Sequence, residues 1–348
     1  MSMVRTTLLP GAAPMPRKHW YVAGFSNEVS ETPFARTLLG DNIVFFRNTN
    51  GDPNALEDRC AHRAVALSAG KVVDGAIQCF YHGMRYDGTG KCVHVPTQDS
   101  IPPQMKVRSY PLVEKWQLIW IWMGDPESAD PSLIPDHSLF GLEGSNEFHR
   151  EQFFRMDIAG NYQLLHENLL DVSHISFLHE GSFDTGAIAL AQPKVTVKGN
   201  AISVEREVEE VLTGAYAAVF EFPQGTRVRR TLKSTSWAPA LNVVTNTFQN
   251  LDDPTEPACI HNAVFPITPQ DDHSCHYFSA VAKNYGCSIH PEPAKQAVWD
   301  IFLTDKAAIE SIQSSYDKLG DQTPDVSVRA DTAPLRYRHI LSEIVAAE

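Results

Sequence analysis

The 348-residue sequence lacks the features that mark membrane-spanning and secreted proteins. No stretch approaches the roughly 18 uninterrupted apolar residues that a membrane-spanning helix requires. Residues 1–20 contain no long apolar core followed by a small-residue cleavage site, so a secretory signal is not expected. We therefore expect a cytoplasmic protein that has no membrane partner.

Basic residues and cysteines are also few. Lysine and arginine total 29 against 42 aspartate and glutamate residues, which gives a formal net charge of −13. Because nucleic-acid binding requires a basic surface, we expect no nucleic-acid partner. The six cysteines, in a chain without a secretory signal, are expected to be reduced. Cysteines that accompany histidines in such a chain indicate metal binding or redox chemistry.

The distribution of strands and turns predicts two domains. From residue 20 to 128, short apolar runs alternate with turn sequences such as NGDP at 50–53. The polar, proline-rich segment 125–135 is expected to separate this part from the rest of the chain. The expected divisions are a flexible tail over residues 1–16, an all-β domain over residues 17–128 and a second domain over residues 129–348.

The second domain is predicted to combine helices with a sheet. Residues 161–180 favour a single helix, because apolar residues recur there at three- and four-residue spacing. Residues 190–285 have strand-like patterns, and a long helix is expected between Pro293 and Gly320. The predicted architecture is therefore an all-β domain followed by an α+β domain with helices at its front and back.

Two cysteine–histidine pairs stand close together in the first domain. Cys60 and His62 are separated by one residue, sixteen residues follow, and Cys79 and His82 are separated by two. One cysteine and one histidine in each loop suit two adjacent iron atoms, with both cysteines on one iron and both histidines on the other. A structural zinc site, in which all four side chains bind one tetrahedral ion, remains an alternative at this point.

A second metal site is indicated in the second domain. His174 and His179 are five residues apart, roughly 140° around an ideal helix, so they share a metal only if the helix bends, widens or ends between them. Asp305 lies within an apolar stripe of the long C-terminal helix, where an unpaired carboxylate is costly. Together they match the two-histidine, one-carboxylate set of non-haem Fe(II) enzymes. Pairing of Asp305 with a buried arginine, or capping of a neighbouring backbone, remains the alternative.

These motifs resemble those of a known family. CAHR…CFYHGMRYDGTGKC is similar to the cluster-binding signature of Rieske proteins, and NLLDVSHISFLH resembles the mononuclear-iron motif of Rieske non-haem iron oxygenases. HWYVAGFSNEV, YPLVEKWQLIWIWMGDP and TPQDDHSCHYF resemble the vanillate O-demethylase and dicamba monooxygenase branch. The match at Asp305 is weaker, because the family often has Glu-Asp where this chain has Thr304-Asp305.

The resemblance implies a fold and a set of cofactors. The expected fold is α+β, with an all-β Rieske iron–sulfur domain followed by a helix-grip catalytic domain of antiparallel sheet and helices. Dioxygen is the expected co-substrate, and each chain is expected to hold one 2Fe–2S cluster and one mononuclear Fe(II). The implied cluster ligands are Cys60, His62, Cys79 and His82, and the implied ligands of the mononuclear iron are His174, His179 and Asp305.

The resemblance also implies partners and an assembly. Electrons are expected to come singly from a ferredoxin or a flavin/iron–sulfur reductase, and the chain is expected to form a head-to-tail homotrimer. Asp171 would connect its own chain's His174 with His82 of the partner subunit, and Asn168 would tune the iron site.

The expected reaction is monooxygenation of a carboxylated aromatic compound, such as O-demethylation or methyl hydroxylation. Ring dihydroxylation and a non-catalytic electron carrier remain alternatives. His261 and Asn262 are the predicted substrate-binding residues, since they lie on a strand that lines the cavity in similar enzymes and can donate hydrogen bonds to a carboxylate.

The cluster loops differ from those of respiratory Rieske proteins. Val65 and Tyr81 stand where that type has a disulfide-forming cysteine pair, and Met84 stands where it has a serine that donates to a sulfide. Because hydrogen bonds to the sulfurs raise the reduction potential, their loss predicts a lower potential.

Overall fold

The computed structural model describes residues 13–136, 148–180, 182, 185–286, 290–320 and 326–348. Contacts divide the chain into one unit over Pro16–Ile134 and a second unit that combines residues 135–348 with the residues before Pro16.

The division between the units falls after Ile134, inside the predicted separating segment 125–135 and six residues after Ser128, where the first domain was expected to end. The intervening turns belong to the first unit, where the indole nitrogen of Trp20 donates to the main-chain oxygen of Asp130 at 2.8 Å. Of the expected tail, residues 1–12 lie outside the described residues. Ala13 is fully buried in the second unit, where its main-chain oxygen accepts from the Asn161 side chain at 3.3 Å.

The first unit contains three antiparallel sheets. Their strand orders are β1-β10-β9, β2-β3-β4 and β5-β6-β7-β8. The strands are β1 (Trp20–Phe25), β2 (Phe34–Leu38), β3 (Asp41–Arg47), β4 (Pro53–Glu57), β5 (Lys71–Val73), β6 (Ala76–Gln78), β7 (Arg85–Tyr86), β8 (Cys92–His94), β9 (Leu112–Lys115) and β10 (Leu118–Trp122).

Local sequence explains these strands and the turns between them. Every residue of β10 is buried, as expected for the apolar run LIWIW. The turn between β3 and β4 is held by the Asn48 side chain, which accepts from the backbone N–H groups of Asn50 and Asp52. Gly51 has a φ of 86°, a conformation that favours glycine.

A seven-stranded antiparallel sheet forms the centre of the second unit, in the order β11-β17-β16-β15-β14-β13-β12. The strands are β11 (His149–Ile158), β12 (Lys194–Lys198), β13 (Ala201–Leu212), β14 (Thr226–Trp237), β15 (Leu241–Asn250), β16 (Cys259–Asp271) and β17 (Ser274–Lys283). The helices are α1 (Tyr162–Leu170), α2 (Ile175–Leu178), α3 (Ala187–Leu190), α4 (Gly214–Val219), α5 (Glu292–Leu319) and α6 (Thr332–Ala346).

The sheet and the helices share one hydrophobic core. Leu165 of α1, Phe302 of α5, Tyr337 of α6 and Tyr277 of β17 all contribute buried side chains to it. Burying such side chains stabilises the fold by roughly 1.5–3 kcal/mol each. This core fixes two helices against the sheet: α1, which leads into the segment with His174 and His179, and α5, which carries Asp305.

The prediction of one helix over residues 161–180 was wrong. The helix α1 ends at Leu170, because Asp171 leaves the helical conformation with φ −94° and ψ 73°. The Asp171 carboxylate instead caps a following 3₁₀ turn, Val172–His174, by accepting from the backbone N–H of Ser173. Apolar periodicity continues through this break, so the pattern alone did not reveal it.

The prediction of a long C-terminal helix is confirmed by α5. Phe302, Asp305 and Ile309 lie on its buried face, whereas Ile312 is 42% exposed. Among the described helices, none has the length and apolar composition that crossing a membrane requires.

Candidate metal centres and substrate cavity

The two cysteine–histidine loops of the first unit have the same backbone hydrogen bonds. The N–H of Cys60 donates to the main-chain oxygen of Val65 at 2.8 Å, and the N–H of Cys79 donates to that of Met84 at 2.8 Å. Both cysteines are 1% exposed and both belong to one core cluster. The loops therefore hold two thiols facing inward in equivalent positions.

The histidines of these loops face outward. His62 and His82 are exposed, and their ring centroids are 4.8 Å apart. Two buried cysteine sulfurs beside two exposed imidazoles fit a cluster with one inner and one outer iron. Gly70 permits this geometry, because a Cβ there would lie 2.0 Å from the main-chain oxygen of Gln78.

Sequence reasoning missed Tyr86, which contacts the candidate cluster site directly. Its hydroxyl accepts from the N–H of Ala61 at 3.2 Å and lies 3.3 Å from the Sγ of Cys60, to which it can donate when the sulfur is a metal-bound thiolate. Burial raises the pKa of Tyr86 well above its usual value, which keeps the hydroxyl protonated. Tyr86 thus offers a hydrogen-bond donor to a cysteine sulfur, although Met84 replaces the serine that donates to a sulfide in respiratory Rieske proteins.

Three candidate ligands converge in the second unit. The Nε2 atoms of His174 and His179 lie 3.6 and 3.2 Å from Oδ1 of Asp305. The candidate ligand atoms of all three residues lie within 4.8 Å of one another.

The break after α1 explains how two histidines five residues apart can meet. His174 ends the 3₁₀ turn and His179 ends the short helix α2, so neither follows the course of one ideal helix. Their ring centroids are 5.2 Å apart. The chain is therefore not one continuous helix around His174 and His179, which is the condition under which these two histidines can share a metal.

The chemistry of the three residues fits a divalent iron. Asp305 is 4% exposed, yet within the described residues no lysine or arginine lies within ion-pair distance of it. Its polar partners are the two histidines and the side-chain amide of Asn168, which donates to Oδ1 at 3.2 Å. Burial lowers the pKa of His174, so that imidazole is neutral and its nitrogen can bind a metal. A metal would remove the cost of burying this carboxylate.

Asp171 contacts His174 through its backbone. The Nδ1–H of His174 donates to the main-chain oxygen of Asp171 at 2.6 Å. The Asp171 carboxylate accepts from the Ser173 hydroxyl at 2.5 Å. Within the described chain, the carboxylate expected to connect two histidines is therefore not bonded to His174.

A cavity that is partly open to solvent lies beside these ligands, and the empty space in it, open solvent included, is about 820 Å³. Most of its wall is apolar, including Phe153, Val172, Phe265 and Phe302. His174, His179 and Asp305 line one part of it.

Polar side chains from three neighbouring strands form a row at this cavity. Asn246, His261 and Lys283 are directly paired across β15, β16 and β17, and we call these three residues the polar row. Asn246 and His261 line the cavity. Two residues along each strand, Val244, Ala263 and Val281 form an apolar row on the cavity wall.

Arg230 adds a buried guanidinium beside the polar row. It is 1% exposed and lines the cavity, and its Nε donates to Asn246 at 2.8 Å. Its Nη1 donates to the hydroxyl of Tyr216 at 2.6 Å and lies 3.6 Å from Glu210. Arg230 is among the residues that line the cavity, whereas Glu210 is not.

The two predicted substrate-binding residues occupy opposite faces of β16. His261 lines the cavity, and burial lowers its pKa to about 3, so the ring is neutral. Asn262 is not among the residues lining the cavity and accepts from the Thr245 hydroxyl at 2.7 Å. Polar residues at alternate positions of β14 to β17 were the signal for Arg230 and Asn246, which sequence reasoning missed.

Comparison with known proteins agrees with this geometry. The Rieske [2Fe-2S] domain family matches residues 19–111, and the vanillate O-demethylase oxygenase C-terminal domain family matches residues 158–347. A putative toluene-4-sulfonate monooxygenase system iron-sulfur subunit from Comamonas testosteroni is 33% identical over 94% of this chain and 96% of its own length. The dicamba O-demethylase oxygenase component of Stenotrophomonas maltophilia is 32% identical over 85% of this chain and 88% of its own length.

Solved structures show the same architecture. The crystal structure of dicamba monooxygenase bound to dicamba matches with a TM-score of 0.86 at 30% identity, covering 97% of this chain and 100% of that chain. The predicted Rieske domain and catalytic domain are thereby confirmed. The Rieske match decides against the zinc alternative, and the oxygenase-component relatives decide against a non-catalytic electron carrier. The chain therefore belongs to the Rieske non-haem iron oxygenases whose catalytic half is the vanillate O-demethylase type of C-terminal domain.

Proposed function

We propose that this oxygenase transfers one oxygen atom of O2 to a methyl or methoxy substituent of an aromatic acid. The observation that carries this proposal is the arrangement of one cavity. It contains a two-histidine, one-carboxylate set, an apolar wall, and a group of polar residues on the neighbouring strands.

His174, His179 and Asp305 would hold the mononuclear ferrous ion, and the two cysteine–histidine loops would hold the 2Fe–2S cluster. When bound, the ferrous ion supplies dioxygen activation and the cluster supplies single electrons. The chain's own residues supply the binding geometry. Asn168 holds the Asp305 carboxylate in place through its hydrogen bond to Oδ1.

The sheet sets the distance between the polar row and the candidate metal ligands, which are the two polar parts of the cavity wall. His261 and Phe265 both line the cavity from β16 and are four residues apart, which corresponds to about 13 Å along a strand. The Phe265 ring lies 5.5 Å from that of Phe302, one helical turn before Asp305. An aromatic ring lying over the apolar row would place one end at the polar row and the other near the metal ligands.

The polar residues favour an acidic group on the substrate. Arg230, Asn246 and His261 can present hydrogen-bond donors to the cavity, and a carboxylate or sulfonate accepts several such bonds. The relatives support the same class, since they include a toluene-4-sulfonate monooxygenase subunit and a vanillate O-demethylase subunit. The apolar row would exclude water from the ring.

The proposed assembly is a head-to-tail trimer that receives electrons from a ferredoxin or a flavin/iron–sulfur reductase. It is supported by the exposure of His82 and of Phe80 and Tyr81 next to it, at 59% and 58%. It is also supported by a second cavity, open to the surface, in which Asp171 and His174 line the wall. This cavity would accept His82 of the partner subunit. Light scattering of the purified protein tests the trimer, and a monomeric mass would contradict it.

The reaction is tested by screening methoxylated, methylated and halogenated aromatic acids with a surrogate reductase. Formaldehyde release matched to O2 uptake, for one methoxy acid, is the result expected of an O-demethylase. An alcohol from a methyl group would equally support monooxygenation. A cis-diol containing both oxygen atoms would contradict the proposal and identify a ring dioxygenase.

A further inference from the structure

We propose that Thr304 is a positioning residue that sets the tautomer and ring orientation of His179. The inference rests on the proposed metal-binding role of His174, His179 and Asp305, and it deepens the account of that site. Thr304 stands immediately before Asp305 on α5.

The hydrogen bonds of Thr304 assign its proton. Its Oγ1 lies 2.7 Å from the main-chain oxygen of Ile301 and 3.2 Å from Nδ1 of His179. A carbonyl oxygen can only accept, so the Thr304 hydroxyl donates to Ile301. The same oxygen then accepts from the Nδ1–H of His179.

This assignment leaves the other ring nitrogen of His179 unprotonated. Nε2 of His179 faces Oδ1 of Asp305 at 3.2 Å, inside the group of candidate ligand atoms. The tautomer with hydrogen on Nδ1 is the one that can bind a metal through Nε2. A hydrogen bond to the non-ligating nitrogen is the usual device that orients a metal-binding histidine.

The two histidines are held by different kinds of acceptor. His174 donates to a main-chain oxygen, that of Asp171, which no side-chain substitution removes. His179 donates to a side-chain hydroxyl carried by α5, the helix that also carries Asp305. Two consecutive residues of α5 thus have complementary roles: Asp305 is a metal ligand, and Thr304 is the acceptor that orients the ligand His179 towards Asp305. The relative placement of His179 and Asp305 therefore depends on one helical segment.

The test compares Thr304→Val, which keeps the shape and removes the hydroxyl, with Thr304→Ser, which keeps the hydroxyl. The control is Ser315→Ala, because the exposed Ser315 also donates to a carbonyl one turn earlier, that of Ser311, without facing the site. The full-length protein with its cluster is prepared without oxygen. Its Fe(II) dissociation constant is measured by equilibrium dialysis, and the paramagnetic signal of the ferrous site is recorded with nitric oxide as the probe.

Thr304→Val is expected to weaken Fe(II) binding by about tenfold, the lower end for loss of such a partner, and to change the shape of the nitric oxide signal. Thr304→Ser is expected to restore both, and Ser315→Ala to change neither. Wild-type affinity and an unchanged signal in Thr304→Val would overturn the proposal. So would a loss in Thr304→Val that serine does not restore.

The variant Asp305→Ala distinguishes failure of the Thr304 proposal from failure of the proposed metal-ligand set. If Asp305→Ala loses Fe(II) while Thr304→Val keeps full affinity, the role of Thr304 fails and the ligand set stands. If Asp305→Ala keeps wild-type affinity, the ligand set itself fails. An unchanged thermal unfolding transition of the second unit, followed by circular dichroism, confirms that each variant has folded.

Discussion

Nδ1 of His174 lies 2.6 Å from the main-chain oxygen of Asp171, the residue that follows the last residue of α1. This contact needs the backbone of residue 171 and makes no use of its carboxylate. The orientation of His174 and the presence of a charge at position 171 are therefore separable. Exchanging the Asp171 side chain should leave the metal site of the same chain intact.

We therefore predict that Asp171→Asn binds Fe(II) as the wild type does. Its turnover is expected to be about 10 to 100 times slower, because the substitution removes the carboxylate that is proposed to connect His174 with His82 of the partner subunit. An asparagine oxygen can still accept from the Ser173 N–H, so the turn after α1 is kept. Iron content and steady-state turnover measure the two effects. Ser173→Ala is the control, since it removes only the hydroxyl that Asp171 accepts from. Loss of iron in Asp171→Asn would show that the carboxylate does hold the metal site together.

The sequence predicted the elements of the metal site better than their local geometry. His174, His179 and Asp305 were predicted as ligands from their residue types, their spacing and the apolar stripe around Asp305, and the structure brings their side chains together. The break at Asp171 was not found, since the apolar periodicity runs through it and the decisive interaction is a short cap to Ser173.

Residues whose contacts depend on strand register were the ones that sequence reasoning missed. Tyr86 approaches Cys60 only because two loops distant in sequence meet. Arg230 reaches the cavity only because the strands pair in one register. The pair His261 and Asn262 was predicted as a unit, but a strand directs neighbouring side chains to opposite faces, which one sequence pattern did not resolve.

The Tyr86 hydroxyl should raise the reduction potential of the cluster. A hydrogen bond to a cluster sulfur favours the reduced, more negative state. A net contribution of about 1 kcal/mol, typical of one hydrogen bond, corresponds to roughly 40 mV for a one-electron couple. Tyr86→Phe is therefore expected to lower the potential by several tens of millivolts in a spectroscopic redox titration.

The matched control for this prediction is Tyr110→Phe. Tyr110 is a buried tyrosine of the same unit whose hydroxyl lies 3.0 Å from Asp41. Its loss should leave the potential unchanged. Equal potentials in wild type and Tyr86→Phe would mean that the 3.3 Å contact with Cys60 does not act on the cluster.

His166 should make the catalytic unit sensitive to acid. Burial lowers the pKa of this fully buried ring from 6.5 to about 3. The unfolded chain binds a proton below pH 6.5 that the folded chain excludes, so this contribution to stability is complete above pH 6.5 and decreases as the pH falls towards 3. The decrease is about 1.4 kcal/mol per pH unit, or about 2 kcal/mol at pH 5.

Denaturant unfolding at pH 7 and pH 5 measures this dependence. His166→Asn, which does not titrate in this range, is expected to lose about 2 kcal/mol less than the wild type between the two values. Comparing the difference between pH values removes any constant cost of the substitution, including the lost stacking on Tyr337. Parallel losses in both proteins would contradict a neutral His166 in the folded state.

Arg230 should determine the preference for acidic substrates. Replacing it alone would leave the buried Glu210 carboxylate without a counter-charge, with only the hydroxyls of Thr185 and Tyr216 among the described residues donating to it, at a cost of about 3–5 kcal/mol. The informative variant is therefore Arg230→Met combined with Glu210→Gln, which removes both charges. Its kcat/KM is compared for an aromatic acid and for the neutral amide of that acid.

A hydrogen bond between charged groups contributes about 1.5–3 kcal/mol, so the double variant is expected to lose roughly 10- to 100-fold in kcat/KM for the acid and little for the amide. The neighbouring residue on β14 provides the control, because Arg229 faces the solvent and pairs with Glu209 at 2.7 Å. Arg229→Met combined with Glu209→Gln removes the same two charges from the opposite face of the sheet and should keep the preference. If both double variants keep it, the acid is recognised elsewhere in the cavity, and the neutral donor of His261 becomes the next residue to replace.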